Sequence, residues 1–174
     1  MAWTTPATVV ADSTELTAAL WNEQVRDNTS FLYTPPMVRA TQTNATTLID
    51  LTECVVSFDG TDAIDTDSMH NPSTNNTRIT FNTAGVYWVH AQVASLNAVT
   101  QMQIYLKLNG LGTVIGGLYI EGTAGATAAA SSLYSFAAGD YVETYVTVNK
   151  IAAGNTTTYA PDTWFSAHWV GAAA

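Results

Sequence analysis

Charge is scarce in this chain. Asp, Glu, Lys and Arg together make up 11% of its 174 residues, less than half the ~25% of an ordinary soluble domain. Basic residues are the scarcest: Arg26, Arg39, Arg78, Lys107 and Lys150 are all there are, against 14 acidic residues, for a formal net charge of −9. That balance removes the counterion-release term on which nucleic-acid affinity chiefly depends, so no nucleic-acid partner is expected. Long apolar runs are absent as well. No stretch supplies the ~20 consecutive apolar residues of a membrane span, and the first residues lack a basic region followed by an apolar one, so neither membrane insertion nor a secretory leader is expected. Synthesis in the cytoplasm follows from that. A single cysteine, Cys54, excludes an intramolecular disulfide, and its place in the apolar run Cys54-Val55-Val56 reads as a small buried hydrophobe rather than a reactive thiol.

What is plentiful is apolar and neutral. Hydrophobic residues make up 47%, so a real core can be buried and the surface must be covered by Thr, Ser, Asn and Gly. Such a neutral polar skin suits a protein that buries wide areas against copies of itself or faces the environment of a particle.

The chain divides at Pro35-Pro36, because proline lacks an amide donor and drives its predecessor out of the α region. Residues 1–36 form an arm with a helix expected over about 13–31. Asp12 caps it and Glu15, three residues on, closes a capping box, with Ser13 the competing cap. Leu16/Leu20 and Trp21/Val25 stand at i,i+4 and make an apolar face opposite Asn22, Glu23, Arg26 and Asp27. Residues 37–174 change pattern to short runs of Val, Ile, Tyr, Thr and Trp separated by Gly, Asn, Asp and Pro. Strands are expected near Val38–Gln42, Thr47–Leu51, Glu53–Phe58, Arg78–Phe81, Gly85–Leu96, Gln101–Leu108, Val114–Glu121, Ala126–Phe136, Tyr141–Val148 and Thr163–Val170, some of them merging. No helix is expected after Pro36, and no βαβ alternation appears, which points to an antiparallel sandwich or barrel. Met102, Ile104, Leu106 and Leu108 alternate and point inward. Along Tyr141–Val148 both faces carry bulk, enough for a core on one side and an intersubunit seam on the other.

Sites of chemistry are few. Asp59, Asp62, Asp65 and Asp67 crowd one loop and are weak candidates for a hard cation, but their spacing is not that of an EF-hand, and a solvated acidic loop is the favoured alternative. His70, His90 and His168 lack zinc-ligand spacing; only a threefold axis, gathering three copies of His90, would bring histidines together. Gly110, Gly112, Gly116 and Gly117 flank Thr113-Val114-Ile115 as a turn arrangement, not a phosphate cradle. No nucleophile elbow or redox pair is present. No enzyme activity and no cofactor are expected. Of the tryptophans, Trp88, Trp164 and Trp169 fall within strands, as core or interface, while Trp3 and Trp21 belong to the arm.

Four fragments, in order, resemble the jelly roll of the tumour-necrosis-factor superfamily and the globular heads of complement and collagen-like proteins. The first is Arg78-Ile79-Thr80-Phe81-Asn82-Thr83-Ala84-Gly85-Val86-Tyr87-Trp88-Val89, a short strand and turn before Ala-Gly-Val-Tyr opens a long strand. The second, Ile104-Tyr105-Leu106-Lys107-Leu108-Asn109-Gly110, is an apolar strand ending in Lys-x-Asn-Gly. The third is Leu133-Tyr134-Ser135-Phe136-Ala137-Ala138-Gly139-Asp140-Tyr141-Val142-Glu143, and the fourth is the closing strand Trp164-Phe165-Ser166-Ala167-His168-Trp169-Val170-Gly171. The resemblance spans about Val38 to Gly171. It implies an all-β antiparallel jelly-roll sandwich assembled as a homotrimer, in which Tyr87, Tyr105, Tyr141, Tyr145, Phe165 and Trp169 fill either the core or the seam between subunits.

The arm is similar to something else. Thr14-Glu15-Leu16-Thr17-Ala18-Ala19-Leu20-Trp21-Asn22-Glu23-Gln24-Val25-Arg26-Asp27-Asn28 resembles a Leu-Asn-x-x-Val-Arg-Asp-Asn helix of tailed-phage structural proteins, with Trp21-Asn22 in place of Leu-Asn. The implied role is that of a virion protein on the outer surface of a bacteriophage, a capsid decoration or head-fibre trimer. Trp3, Leu16, Leu20, Trp21 and Val25 would dock it to the major capsid protein or another virion structural protein. The alternative is a tail or baseplate adhesin whose loops, Asp59–Asn76 and Ala152–Pro161, recognise a host surface glycan or protein. An enzyme acting on surface polysaccharide ranks last, since no catalytic constellation supports it.

Overall fold

The computed structural model describes residues 17–110, 112–121, 125–150 and 155–172. The chain separates into two units, Met1–Pro35 and Pro36–Ala174.

In the first unit, α1 (Ala18–Trp21) opens on Thr17, whose extended backbone and side-chain oxygen, accepting from Leu20 N at 3.1 Å, make the N-cap. The cap expected at Asp12 and Glu15 lies outside the described residues. The helix widens into a π segment over Asn22–Asp27 and returns as α2 (Asn28–Tyr33), so it is not the continuous α-helix expected. It also runs on to Tyr33 rather than stopping at Phe31. The first non-helical residue is Thr34, at φ −135° and ψ 69°, because Thr34 directly precedes Pro35 and the proline ring excludes it from the α region.

The second unit is an antiparallel sandwich. Its strands are β1 (Met37–Thr41), β2 (Thr47–Leu48), β3 (Cys54–Val55), β4 (Ile64–Asp65), β5 (Arg78–Thr80), β6 (Gly85–Ala94), β7 (Val99–Leu108), β8 (Thr113–Glu121), β9 (Thr127–Phe136), β10 (Tyr141–Lys150), β11 (Thr156–Thr157) and β12 (Trp164–Gly171). One sheet runs β4-β1-β12-β6-β9. The other runs β3-β10-β7-β8, with β5 also pairing β10, and β11-β2 form a small ribbon. Among the long strands only β7 and β8 are sequential neighbours in one sheet; β6 to β7, β8 to β9 and β9 to β10 cross between sheets, which makes this a jelly roll.

Several expected elements change. The runs Thr47–Leu51 and Glu53–Phe58 contribute only β2 and β3, two residues each, because a left-handed turn at Leu51 (φ 53°) breaks the ladder between them. β4 and β11 were not expected, and neither was the 3-10 turn Ala160–Asp162, which Pro161 favours by its fixed φ. Gly116 and Gly117 lie within β8, as the strand expected over Val114–Glu121 has them, and not in a turn flanking Thr113-Val114-Ile115. At Gly116 a Cβ would stand 2.9 Å from the Ser131 carbonyl oxygen, so only glycine lets β8 close on β9 across the sandwich edge.

The core is built from period-two alternation. Tyr87, Val89, Ala91 and Val93 of β6 face Met102, Ile104 and Leu106 of β7 and Val142, Val146 and Val148 of β10, all buried. Leu108, expected inward, is half-buried at the strand end. Phe81 and Phe136 stack with ring centroids 3.8 Å apart and Tyr87 meets Phe81 edge-on at 4.7 Å, while Phe58 and Phe165 pair at 6.1 Å.

The four family-like fragments meet in pairs. Asn109, with Gly110 at left-handed φ, donates from Nδ2 to Asp140 Oδ1 (2.8 Å) and accepts from Tyr141 N (2.9 Å), joining the Lys-x-Asn-Gly turn to the Gly-Asp turn. Gly85 lies directly beneath the Trp169 indole, which joins the first fragment to the last.

Candidate interaction surfaces and a polar cavity

The aromatic residues singled out in the sequence separate into two groups. Tyr87 and Phe165 are completely buried between the sheets and Trp169 nearly so. Tyr87 donates to the Thr83 carbonyl at 2.7 Å; burial, then the nearby Asp67 charge, pushes its phenol pKa up. Tyr105, Tyr141 and Tyr145 instead lie on the outer face of the second sheet, half-buried. There the side chains cover one another. Glu143, almost fully buried, accepts from Thr77 Oγ1 (2.9 Å), Arg78 Nε (3.2 Å) and Tyr145 Oη (3.1 Å). The Arg78 guanidinium stacks on the Tyr141 ring at 4.3 Å, and Lys107, ion-paired to Glu53 at 2.6 Å, sits 4.5 Å over Tyr145. Burial, then the Glu143 carboxylate, raises the Tyr145 pKa. The second face of β10 is therefore filled by a polar and aromatic network within the chain.

Exposed apolar surface collects elsewhere. On the outer face of the first sheet Trp88 is 48% exposed and stands in register with Leu133 (58%) on one side and His168 on the other. Val170 (50%) continues the patch along β12. Beside it, Arg39 lies 4.3 Å over Trp164, and the His90 imidazole stacks on the same indole at 4.9 Å. Burial, then the Arg39 charge, lowers the His90 pKa. A second exposed apolar group, Val114, Leu118 and Tyr119, follows β8, the edge strand of the other sheet. These positions were not distinguished in the sequence, where Trp88 was legible only as core or interface. The remaining signal is that the outward phase of β6, Val86-Trp88-His90-Gln92, is as bulky as the inward one.

The acidic loop is held by its own hydrogen bonds. Asp59 accepts from Thr43 N (2.9 Å), Asn44 N (3.0 Å) and Asn44 Nδ2 (2.5 Å); burial opposes ionisation there, but these hydrogen bonds outweigh it and hold the carboxyl below its usual range. Asp62 pairs with the buried His70 Nδ1 at 2.7 Å. Asp65 accepts from Met69 N (2.9 Å) and His70 N (3.0 Å). Asp67 Oδ2 is buried without a hydrogen-bond partner among the described residues. Asp59 and Asp65 hold backbone amides and Asp62 holds the His70 imidazole, and among the described residues no three His, Cys, Asp or Glu side chains converge as metal ligands. Cys54 is half-buried, its Sγ accepting from Ile49 N at 3.3 Å.

Next to this loop lies an open cavity of about 330 Å³, walled by Ser68, Asn71, Thr74, Asn75, Thr80 and Asn82 with Arg78 and Tyr141. Amide, hydroxyl and guanidinium groups make up the larger share of its walls, and Met69, His70 and the Tyr141 ring also line it. Asn82 Nδ2 donates to the Asp67 and Ser68 carbonyls (2.8 and 3.0 Å), and Asn71 Oδ1 accepts from Ser73 N and Thr74 N (2.9 and 3.0 Å), so the loop is shaped by its own hydrogen bonds.

In the arm, Trp3 and Leu16 lie outside the described residues. Leu20 is half-buried, while Trp21 (51%) and Val25 (40%) are exposed. Leu32 and Tyr33 are exposed as well; sequence reasoning passed over them because the helix was expected to end before them. No helix among the described residues is long and apolar enough to cross a membrane.

No protein-family model matches the chain, and no curated protein does. Solved structures do. A crystal structure of murine APRIL at pH 5.0 is 10% identical with a TM-score of 0.60, covering 78% of this chain and 98% of that one. Murine APRIL at pH 8.5 gives 12%, 0.58, 78% and 98%. The globular domain of zebrafish complement 1qA protein gives 11%, 0.55, 79% and 99%. At these identities the likeness establishes the fold: an all-β, antiparallel jelly roll of the kind found in tumour-necrosis-factor-like and complement 1q globular domains.

Proposed function

We propose that the chain is a structural, non-catalytic protein of a bacteriophage virion: a homotrimer on the particle exterior, decorating the capsid or forming a head fibre. The observation that carries the trimer is the pair of unlike apolar patches on one subunit, Trp88, Leu133 and Val170 on a sheet face and Val114, Leu118 and Tyr119 along a sheet edge. A cyclic trimer needs a heterologous interface, one patch of a subunit seated on a different patch of the next, and closes only if both exist. Apolar groups gathered on a sheet face and a sheet edge are the kind of surface that partner subunits cover. The likeness in fold to APRIL and complement 1qA supports the same reading.

Attachment is assigned to the arm. It is a unit distinct from the jelly roll, resembles a helix of tailed-phage structural proteins, and exposes Trp21 and Val25, aromatic and aliphatic anchors of the sort that fill grooves on a partner. Three arms on one trimer act together, so individually weak docking to the major capsid protein adds up. Imaging intact particles by cryo-microscopy tests the location. A Trp21→Ser/Val25→Ser chain should remain trimeric yet fail to bind particles assembled without it; undiminished binding would overturn the docking role.

A second reading, a tail or baseplate adhesin recognising a host surface glycan or protein, is favoured by the polar cavity beside the Asp59–Asn76 loop. A knob at the tail tip in particle images would select it.

A further inference from the structure

We propose that the cavity between the Ser68–Asn75 loop and strand β5 is a binding site for a neutral hexopyranose unit of a surface glycan. Its biological setting rests on the adhesin reading; its chemistry does not.

Size comes first. A cavity of about 330 Å³ is at the lower end of small-ligand sites, which run from about 300 Å³ upwards, and suits one sugar ring better than an extended chain. The walls are more polar than apolar, with hydroxyls and side-chain amides beside Met69 and the Tyr141 ring, so a fitting occupant carries closely spaced hydroxyls to replace the water it displaces together with some C–H surface, as a sugar ring does.

Charge then separates a neutral from an anionic ligand. Among the described residues lining the cavity His70 is paired with Asp62, and Arg78 carries the permanent positive charge, which Glu143 already offsets through Nε at 3.2 Å. The pair offers no net positive field for a phosphate or a carboxylate. What it offers is geometry. The guanidinium plane is fixed between Glu143 and the Tyr141 ring, 4.3 Å away, and Glu143 is itself fixed by Thr77 and Tyr145. The two terminal nitrogens of Arg78 make no hydrogen bond with any described residue, leaving a rigid fork that can donate to two adjacent hydroxyl oxygens at once. Asn71 also lines the cavity, its side chain held because Oδ1 accepts from Ser73 N and Thr74 N, and its Nδ2 makes no hydrogen bond with a described residue. With both groups held before binding, little conformational entropy is lost when a ligand arrives.

The full chain would be titrated with methyl α-glucopyranoside, methyl α-mannopyranoside and methyl α-galactopyranoside, with N-acetylneuraminate and inorganic phosphate as anionic probes, observed by saturation-transfer NMR and by shifts of the Thr74 and Arg78 amides. Saturable binding of at least one neutral hexoside is expected. Arg78→Lys, which keeps the charge and loses the fork, should weaken it by about tenfold or more, the loss of one charged hydrogen bond. Thr74→Trp, at an exposed loop position that leaves the core untouched, should abolish it by filling the cavity. No hexoside binding at tens of millimolar, binding indifferent to Thr74→Trp, or binding of the anions alone would overturn the proposal. Particle imaging bears only on the adhesin reading, so the two can fail separately.

Discussion

Replacing Trp88 by serine tests the assembly most directly. The indole is 48% exposed on the subunit, so about 120 Å² of a side chain that buries up to about 250 Å² is left for a neighbour, worth about 3 kcal/mol at about 25 cal/mol per Å². Each interface of a closed ring would lose that amount, a factor of more than about 100 in each pairwise step. Within the subunit the loss is smaller, about 1 kcal/mol, since what disappears is cross-strand contact with Leu133 and His168 on a surface already facing out. Sedimentation velocity over a micromolar dilution series should therefore show the parent chain as three subunits and Trp88→Ser as one, with nearly unchanged circular dichroism. Ile49→Ser, at a residue equally exposed (47%) but outside both patches, should remain trimeric. A Trp88→Ser chain that stays trimeric at the parent's dissociation concentration, or a parent that is monomeric throughout, refutes the reasoning.

Three more outcomes follow from the packing. Phe81→Ala removes a fully buried ring from between Phe136 and Tyr87 and should cost about 3–5 kcal/mol in denaturant unfolding; a loss under about 1 kcal/mol would show that the aromatic cluster is not a supporting part of the core. Gly85→Ala places a methyl group against the Trp169 indole and should cost about 1–3 kcal/mol through forced repacking, seen as a lower midpoint and altered tryptophan fluorescence. The third concerns pH. Because the folded chain holds His90 below the ordinary histidine value of 6.5, it binds fewer protons than the unfolded chain between those two values. The stability that His90 contributes is thus complete above 6.5 and is lost as pH falls through the folded value; His90→Gln should flatten the thermal-midpoint profile on the acid side, and an unchanged profile would exclude His90 as its source.

The legible parts of this protein are those governed by neighbours along the chain. The double proline sets the end of the helix through the local exclusion of Thr34 from α geometry, and alternation along β7 marks Met102, Ile104 and Leu106 as inward because strand geometry alone sends every second side chain to one face. The Asn109-Gly110 turn is legible for the same reason: both residues take left-handed φ, which Asn and Gly tolerate best. Less was visible where the decision lay between distant segments. Asp59, Asp62, Asp65 and Asp67 look like one cluster in the sequence, yet Asp59 is claimed by the Thr43-Asn44 backbone, Asp65 by the Met69-His70 backbone and Asp62 by the His70 imidazole.

The sequence by itself determined the class of fold, the division at Pro35-Pro36 and the scarcity of charge, since these depend on composition and on periods of two to four residues. Only the tertiary structure decided which bulky face is satisfied within the subunit. Tyr141 and Tyr145 are partly covered because Arg78 and Lys107, the latter paired to Glu53, come from distant parts of the chain to lie against them, whereas Trp88 and Leu133 stay about half exposed among the described residues. Sheet pairing between distant segments makes that choice, and no local pattern along the chain encodes it.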